Sequence, residues 1–138
     1  MAHRGGLAHE YRRARGGPAV ITLRHVTVDC RDAAVLAAFW SAALDRPVDE
    51  GANPYYASIG IGFRSRQPAW LFLQVPEPKT AKNRMHVDFS TDERGAEVQR
   101  LVALGASTHG EHDEYGVRWT VLADPEGNEF CVGGPSST

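Results

Sequence analysis

The sequence predicts an α+β domain built from two tandem βαβββ modules, and three observations carry that reading. Two short strands open with a histidine about sixty residues apart, Arg24–Asp29 and Arg84–Ser90. Each is followed by an acidic cap, Asp32 or Asp92, and then by an amphipathic helix. Further strand-like runs follow each helix, so the same unit occurs twice. Period-two alternation puts His25, Thr27 and Asp29 on one face of the first strand and His86, Asp88 and Ser90 on one face of its counterpart. Function is expected where these two copies meet.

From Val20 to Asp29, β-branched residues and alternation predict a strand. Asp32 then caps a helix whose apolar stripe is Val35, Leu36, Phe39, Trp40, Ala43 and Leu44, closed by Pro47. A short strand near Val48 leads through Gly51–Pro54 to strands over Tyr55–Phe63 and Ala69–Val75. Two prolines and no apolar periodicity mark the connector after Val75. The second copy runs through a strand at Arg84–Thr91 and a helix with Val98, Leu101, Val102 and Leu104 buried. Gly105 ends that helix in a positive-φ conformation. Strands near Ser107–His109, Val117–Ala123 and Glu129–Val132 follow, the last two joined by a tight turn at Asp124-Pro125-Glu126-Gly127-Asn128. Gly133 onward is expected to fray. The division is thus a disordered tail at 1–19 and a single domain at 20–134, with modules 20–76 and 84–134 and a linker at 77–83.

With 138 residues, 42% of them hydrophobic, the chain can bury one core. Of the 15 basic and 17 acidic side chains, residues 1–19 hold Arg4, Arg12, Arg13, Arg15 and Glu10, which leaves 11 basic and 16 acidic in the domain, a balance of −5. An acidic domain without a basic stripe argues against nucleic acid, because phosphate neutralisation supplies most of that affinity. No stretch reaches the roughly 20 apolar residues of a membrane span, and no signal-peptide core is seen, so a cytoplasmic location is expected. Cys30 falls on the helix-facing side of its strand, which argues against a Cys30–Cys131 disulfide.

The doubled unit, its histidine-opened strands, Phe39-Trp40 in the first helix, and Ala123-Asp124-Pro125-Glu126-Gly127-Asn128-Glu129-Phe130 before the last strand resemble the vicinal oxygen chelate superfamily, and within it the glyoxalase-like domain proteins. The resemblance covers about residues 20–134. It implies a cup-shaped mixed sheet with helices packed outside, and often a dimer. It also implies a divalent metal (Zn, Ni, Fe or Mn) held by one residue from the first and one from the last strand of each copy. Carried over by position, those residues are His25, Gln74, His86 and Cys131. Cys131 departs from the glutamate usual at its place, and Glu129, two residues earlier on the same strand face, is the candidate proton-moving or outer-shell carboxylate.

Each candidate has a quieter role open to it. The histidines can bond Asp29 and Asp88 in a cavity without metal, Gln74 and Glu129 can be polar wall, and Cys131 can be packing. Trp70, Phe72 and Trp119 suit either a pocket or a core. His109 and His112 fall in a polar, loop-rich stretch and are expected to be solvated. Two classes of function follow from the resemblance. One is a metal-dependent enzyme of lyase, isomerase or dioxygenase-like type acting on a small oxygenated substrate. The other is a metal-free small-molecule binder of the antibiotic-sequestering, bleomycin-resistance kind.

Overall fold

Residues 20–62 and 67–135 are described by the structure, a computed structural model. The expectations for residues 1–19 and for Phe63 lie outside them. In chain order the elements are β1 (His25–Cys30), α1 (Ala33–Leu44), β2 (Tyr56–Ile59), β3 (Ala69–Gln74), β4 (Val87–Ser90), α2 (Arg94–Leu104), β5 (Ser107–Glu114), β6 (Val117–Ala123) and β7 (Glu129–Pro135). They form a three-stranded sheet, β1-β3-β2, and a four-stranded sheet, β4-β7-β6-β5. In both, the first strand of the module pairs in parallel with the last, and the remaining pairings are antiparallel. The fold is therefore the tandem α+β arrangement. The extra strand of the first module is reduced to a single bridge, Val48 to Ile59.

Several boundaries shift for identifiable reasons. β1 starts at His25, not Val20, since its parallel ladder with β3 begins at the His25–Ala69 pair. β2 stops at Ile59, where Gly60 takes φ 74°. The stretch expected to be loop-rich is the long strand β5, whose residues are all exposed and so show no alternation. It turns into β6 through Tyr115 and Gly116, both at positive φ (56° and 76°), as a two-residue hairpin matched to sheet twist requires. Of the end expected to fray, Gly133, Gly134 and Pro135 instead pair with Trp119, Arg118 and Val117, and the residues after Pro135 lie outside the described ones. Gly134 admits no side chain there, since a Cβ would stand 2.5 Å from the Thr91 carbonyl oxygen.

Asp32 caps α1 by accepting the Val35 N–H, and Asp45, in the left-handed region, ends it two residues before Pro47. The buried face of α1 is Ala33, Leu36, Ala37, Phe39 and Trp40, while Val35 is 61% exposed. In α2 the cap is Glu93, not Asp92, and it makes no side-chain capping bond. Leu101 is the buried residue of that helix and Val98 packs partly against the core, whereas Val102 and Leu104 are exposed.

What joins the modules is the tryptophan of α1. Trp40 stacks on Trp70 of β3 at 4.7 Å and meets Phe130 of β7 edge-on at 4.8 Å, with Phe89 of β4 at 5.9 Å. One side chain thus contacts both sheets, and ring pairs at such separations add to the burial of their large apolar surfaces. Replacing Trp40 by alanine is expected to lower unfolding free energy by about 3–5 kcal/mol, whereas Val35→Ala should change it by less than about 0.5 kcal/mol. Urea denaturation of the two variants measures this, and a loss below about 1 kcal/mol at Trp40 would contradict the shared core.

Candidate functional site

The site is positioned by the turn at residues 124–128. Asp124, 3% exposed, receives the Trp40 indole N–H at 3.1 Å, the backbone N–H groups of Glu126 and Asn128, and the Asn128 side-chain amide. The Glu126 carboxylate accepts the N–H groups of Arg31 and Asp32, just before α1. These bonds hold the start of β7 against the first module. They leave β7 free to pair with β4 so that Asp88 lies beside Cys131.

On the face of the second sheet away from the helices, three donor atoms converge. His86 Nδ1 lies 2.8 Å from Asp88 Oδ1 and 4.0 Å from Cys131 Sγ, and the three ligand atoms all fall within 4.8 Å of one another. His86 and Asp88 are exposed while Cys131 is buried. Burial, followed by the neighbouring Asp88 carboxylate, pushes the Cys131 thiol up to about 11, against the opposing pull of Lys82. Zinc bonds of about 2.0–2.3 Å to nitrogen, oxygen and sulfur imply ligand separations of roughly 3.3–3.8 Å in a tetrahedral site. The spacings of 2.8 and 4.0 Å fall on either side of that range, so this N, O, S set has the donor chemistry for a divalent ion and would hold one after the His86–Asp88 pair opens and Cys131 closes in.

The four positions carried over by resemblance do not all come together. His86 and Cys131 do. His25 occupies the corresponding face of β1, opposite the core-packing Val26, but it is not in the donor group, because β1 and β4 are edge strands of separate sheets. Gln74 is on the wrong side. The register pairs it with Cys30 and puts it on the face of Val26, Val28, Trp70 and Phe72, and its side-chain amide donates to the Arg31 carbonyl. Leu71 and Leu73 share the His25 face instead. β3 is apolar on both sides, so its alternation does not reveal which face looks inward. Asp88 is the residue that sequence reasoning left out of the ligand set. Its signal is present in the sequence, since it alternates with His86, but the same spacing equally suits a hydrogen-bond partner of that histidine.

Glu129 shares the face of Cys131 but is engaged elsewhere. It accepts from Lys79 Nζ at 3.1 Å and from the Asn83 backbone N–H at 3.0 Å, pinning the connector to β7. Burial works against its charge, yet the Asn83 amide and the Lys79 ammonium outweigh it and hold its carboxyl below the usual range. That makes it a weak base in this state. His112 lies in β5 and stacks on Trp119 at 5.0 Å. Both cysteines are free, and Cys30 bonds the Leu73 carbonyl from the core side.

Two cavities meet these residues. One, of about 1050 Å³, separates the edges of β1 and β4 and is lined by His25, His86, Trp40, Trp70 and Phe89. The other, of about 1070 Å³, is the concave face of the second sheet, lined by His86, Asp88, Cys131, Trp119 and His112. Among the described residues no helix is long and apolar enough to cross a membrane.

Residues 25–133 match a family model described as Glyoxalase-like domain. No curated protein matches the chain. The chain is similar in structure to a glyoxalase/bleomycin resistance protein/dioxygenase family enzyme from Burkholderia phytofirmans, with TM-score 0.68, 18% identity, and coverage of 83% of this chain and 99% of that one. It is also similar to a fosfomycin resistance protein from Mesorhizobium loti (TM-score 0.65, 16% identity, 86% and 96% covered). A glyoxalase/bleomycin resistance protein from Albidiferax ferrireducens gives TM-score 0.58, 24% identity, and 80% and 96% coverage. At these identities the likeness shows the fold.

The Glu129 anchor has a pH signature. Its folded-state value is depressed, so its stabilisation is present above the ordinary glutamate range near 4.3 and is lost as pH falls through the folded value. The stability gap between wild type and Glu129→Gln should therefore be larger at pH 7 than at pH 3, read as urea midpoints. An equal gap at both would show that the ion pair contributes nothing.

Proposed function

Because the chain belongs to the glyoxalase-like domain family, we propose that it binds a small oxygen-bearing organic molecule on the concave face of its second module, beside a divalent ion held by His86, Asp88 and Cys131. The observation that carries this reading is the donor group itself, which opens into a cavity of about 1070 Å³. Asp88 supplies the negative charge that an imidazole and a thiol alone would lack. The N, O, S set suits zinc, which would polarise a substrate oxygen or lower the pKa of a bound water. The reaction classes consistent with that chemistry are isomerisation and lyase chemistry. Glu129 is the nearby carboxylate for moving a proton, and it takes that role once Lys79 releases it. His25 lines the β1–β4 cleft and stands outside the donor group.

Elemental analysis of untagged protein tests the reading, with about one zinc per chain expected after zinc loading and dialysis. His86→Ala, Asp88→Ala and Cys131→Ala should each lower zinc affinity by about tenfold or more. Metal content unchanged by His86→Ala would overturn it. A second reading, metal-free sequestration, is favoured by the 2.8 Å His86–Asp88 contact, since these groups satisfy each other without an ion. Under that reading, fosfomycin and bleomycin are the first ligands to screen, and chelator would leave binding unaltered.

We also propose a homodimer. Ile21, Leu23 and Met85 are 99%, 74% and 87% exposed, and the latter two line the mouth of the β1–β4 cleft. Apolar groups so placed suit a partner surface. Light scattering should give twice the chain's 15.1 kDa, and Leu23→Glu with Met85→Glu should halve it.

A further inference from the structure

The concave face of the second sheet carries an arrangement that metal binding leaves unused. Strand register places His112 beside Trp119, Trp119 beside Gly133, and Gly133 beside Ser90. The adjoining row on the same face is Val121, Cys131 and Asp88. Three properties of this patch combine. The His112 imidazole stacks on the Trp119 indole at 5.0 Å with planes 19° apart, which fixes the plane of the larger ring. Trp119 is only half-buried, so part of that ring is open to the cavity. Next to it β7 presents backbone alone. A Cβ at Gly133 would sit 3.4 Å from Trp119 Cβ and 3.6 Å from the Arg118 carbonyl oxygen, so glycine keeps a shelf clear that any side chain would fill.

The polar end of the same cavity holds His86, Asp88, Cys131 and Lys82. From β6, which carries Trp119, to β4, which carries Asp88, is two inter-strand steps, roughly 10 Å. One ring with a single oxygen-bearing substituent fills that interval. Aliphatic groups of the same bulk would lie against the indole edge less well, because stacked aromatic pairs gain beyond area burial.

We propose that the Trp119–Gly133 shelf is a specificity slot for a planar aromatic ring whose anionic oxygen points to Lys82 and His86 at the polar end of the cavity. The slot rests on the proposal that this face takes the ligand, but not on the identity of an ion there. Flatness is selected by the shelf, and the oxygen by the polar end. Pro135 and Val117 close the far side.

The test compares benzoate with cyclohexanecarboxylate, equal in charge and similar in bulk but different in flatness. Both are titrated into the full chain, zinc-loaded and chelator-treated, while backbone and indole N–H resonances are followed by NMR. Benzoate should bind at least about threefold more tightly, with the Trp119 indole resonance moving. Trp119→Leu should erase the preference. Gly133→Ala, at a position without positive φ, should keep the melting temperature and lose most of the benzoate affinity. Equal affinities in the wild type, or a preference that survives Trp119→Leu and Gly133→Ala, would overturn the slot alone. If neither carboxylate moves any resonance on this face, the ligand-site proposal fails with it.

Discussion

The bond between the Trp40 indole and the Asp124 carboxylate is where the two halves of the chain become one structure. It joins residues 84 positions apart, and it is buried. A buried carboxylate is costly unless its oxygens are satisfied, and Asp124 is satisfied by the indole, two backbone N–H groups and the Asn128 amide. The same turn sends Glu126 to the backbone ahead of α1. Packing and polar satisfaction therefore specify one docking of β7 against α1. With β7 fixed, the aromatic contacts of Phe130 with Trp40 and Phe39 follow.

From that docking the site inherits its geometry. β7 carries Phe130 and Val132 into the core and, by alternation, Glu129 and Cys131 onto the opposite face. β4 pairs with it in parallel, so Asp88 falls beside Cys131, and His86 reaches both from just ahead of the strand. The donor group thus stands on the side of one sheet, with the rigidity of four strands behind it. Glu129 serves the same end differently. By holding Lys79 and the Asn83 amide it fixes the connector that delivers His86.

The first module contributes less polar chemistry than the second. Its sheet presents Leu71 and Leu73 beside His25, and its cysteine is turned into the core and bonded to the Leu73 carbonyl. The symmetry of the repeat is therefore preserved in topology and broken in chemistry. The second module carries the donor group, and the first supplies Trp40, which supports it from behind.

Much of this was determined by the sequence alone, where local rules are strong. Asp32 as a cap, the helix stripes containing Trp40 and Leu101, the turn at 124–128, and the shared face of His86, Asp88 and Ser90 all rest on interactions within a few residues. Their outcome is therefore legible from spacing. The doubling of the unit was legible for the same reason. What only the tertiary structure decided were choices between locally equivalent states. In Ala69–Gln74 both faces are apolar, and the register with β1 turns Trp70, Phe72 and Gln74 toward α1. β5 has no alternation and exists because β6 offers it a ladder. Glu129 could face a ligand or a lysine, and the connector supplied the lysine. His25 opens β1 and His86 stands just ahead of β4, yet their separation is set by how these two edge strands are held apart over Trp40. That distance is fixed by packing between residues remote in sequence, and no local pattern encodes it.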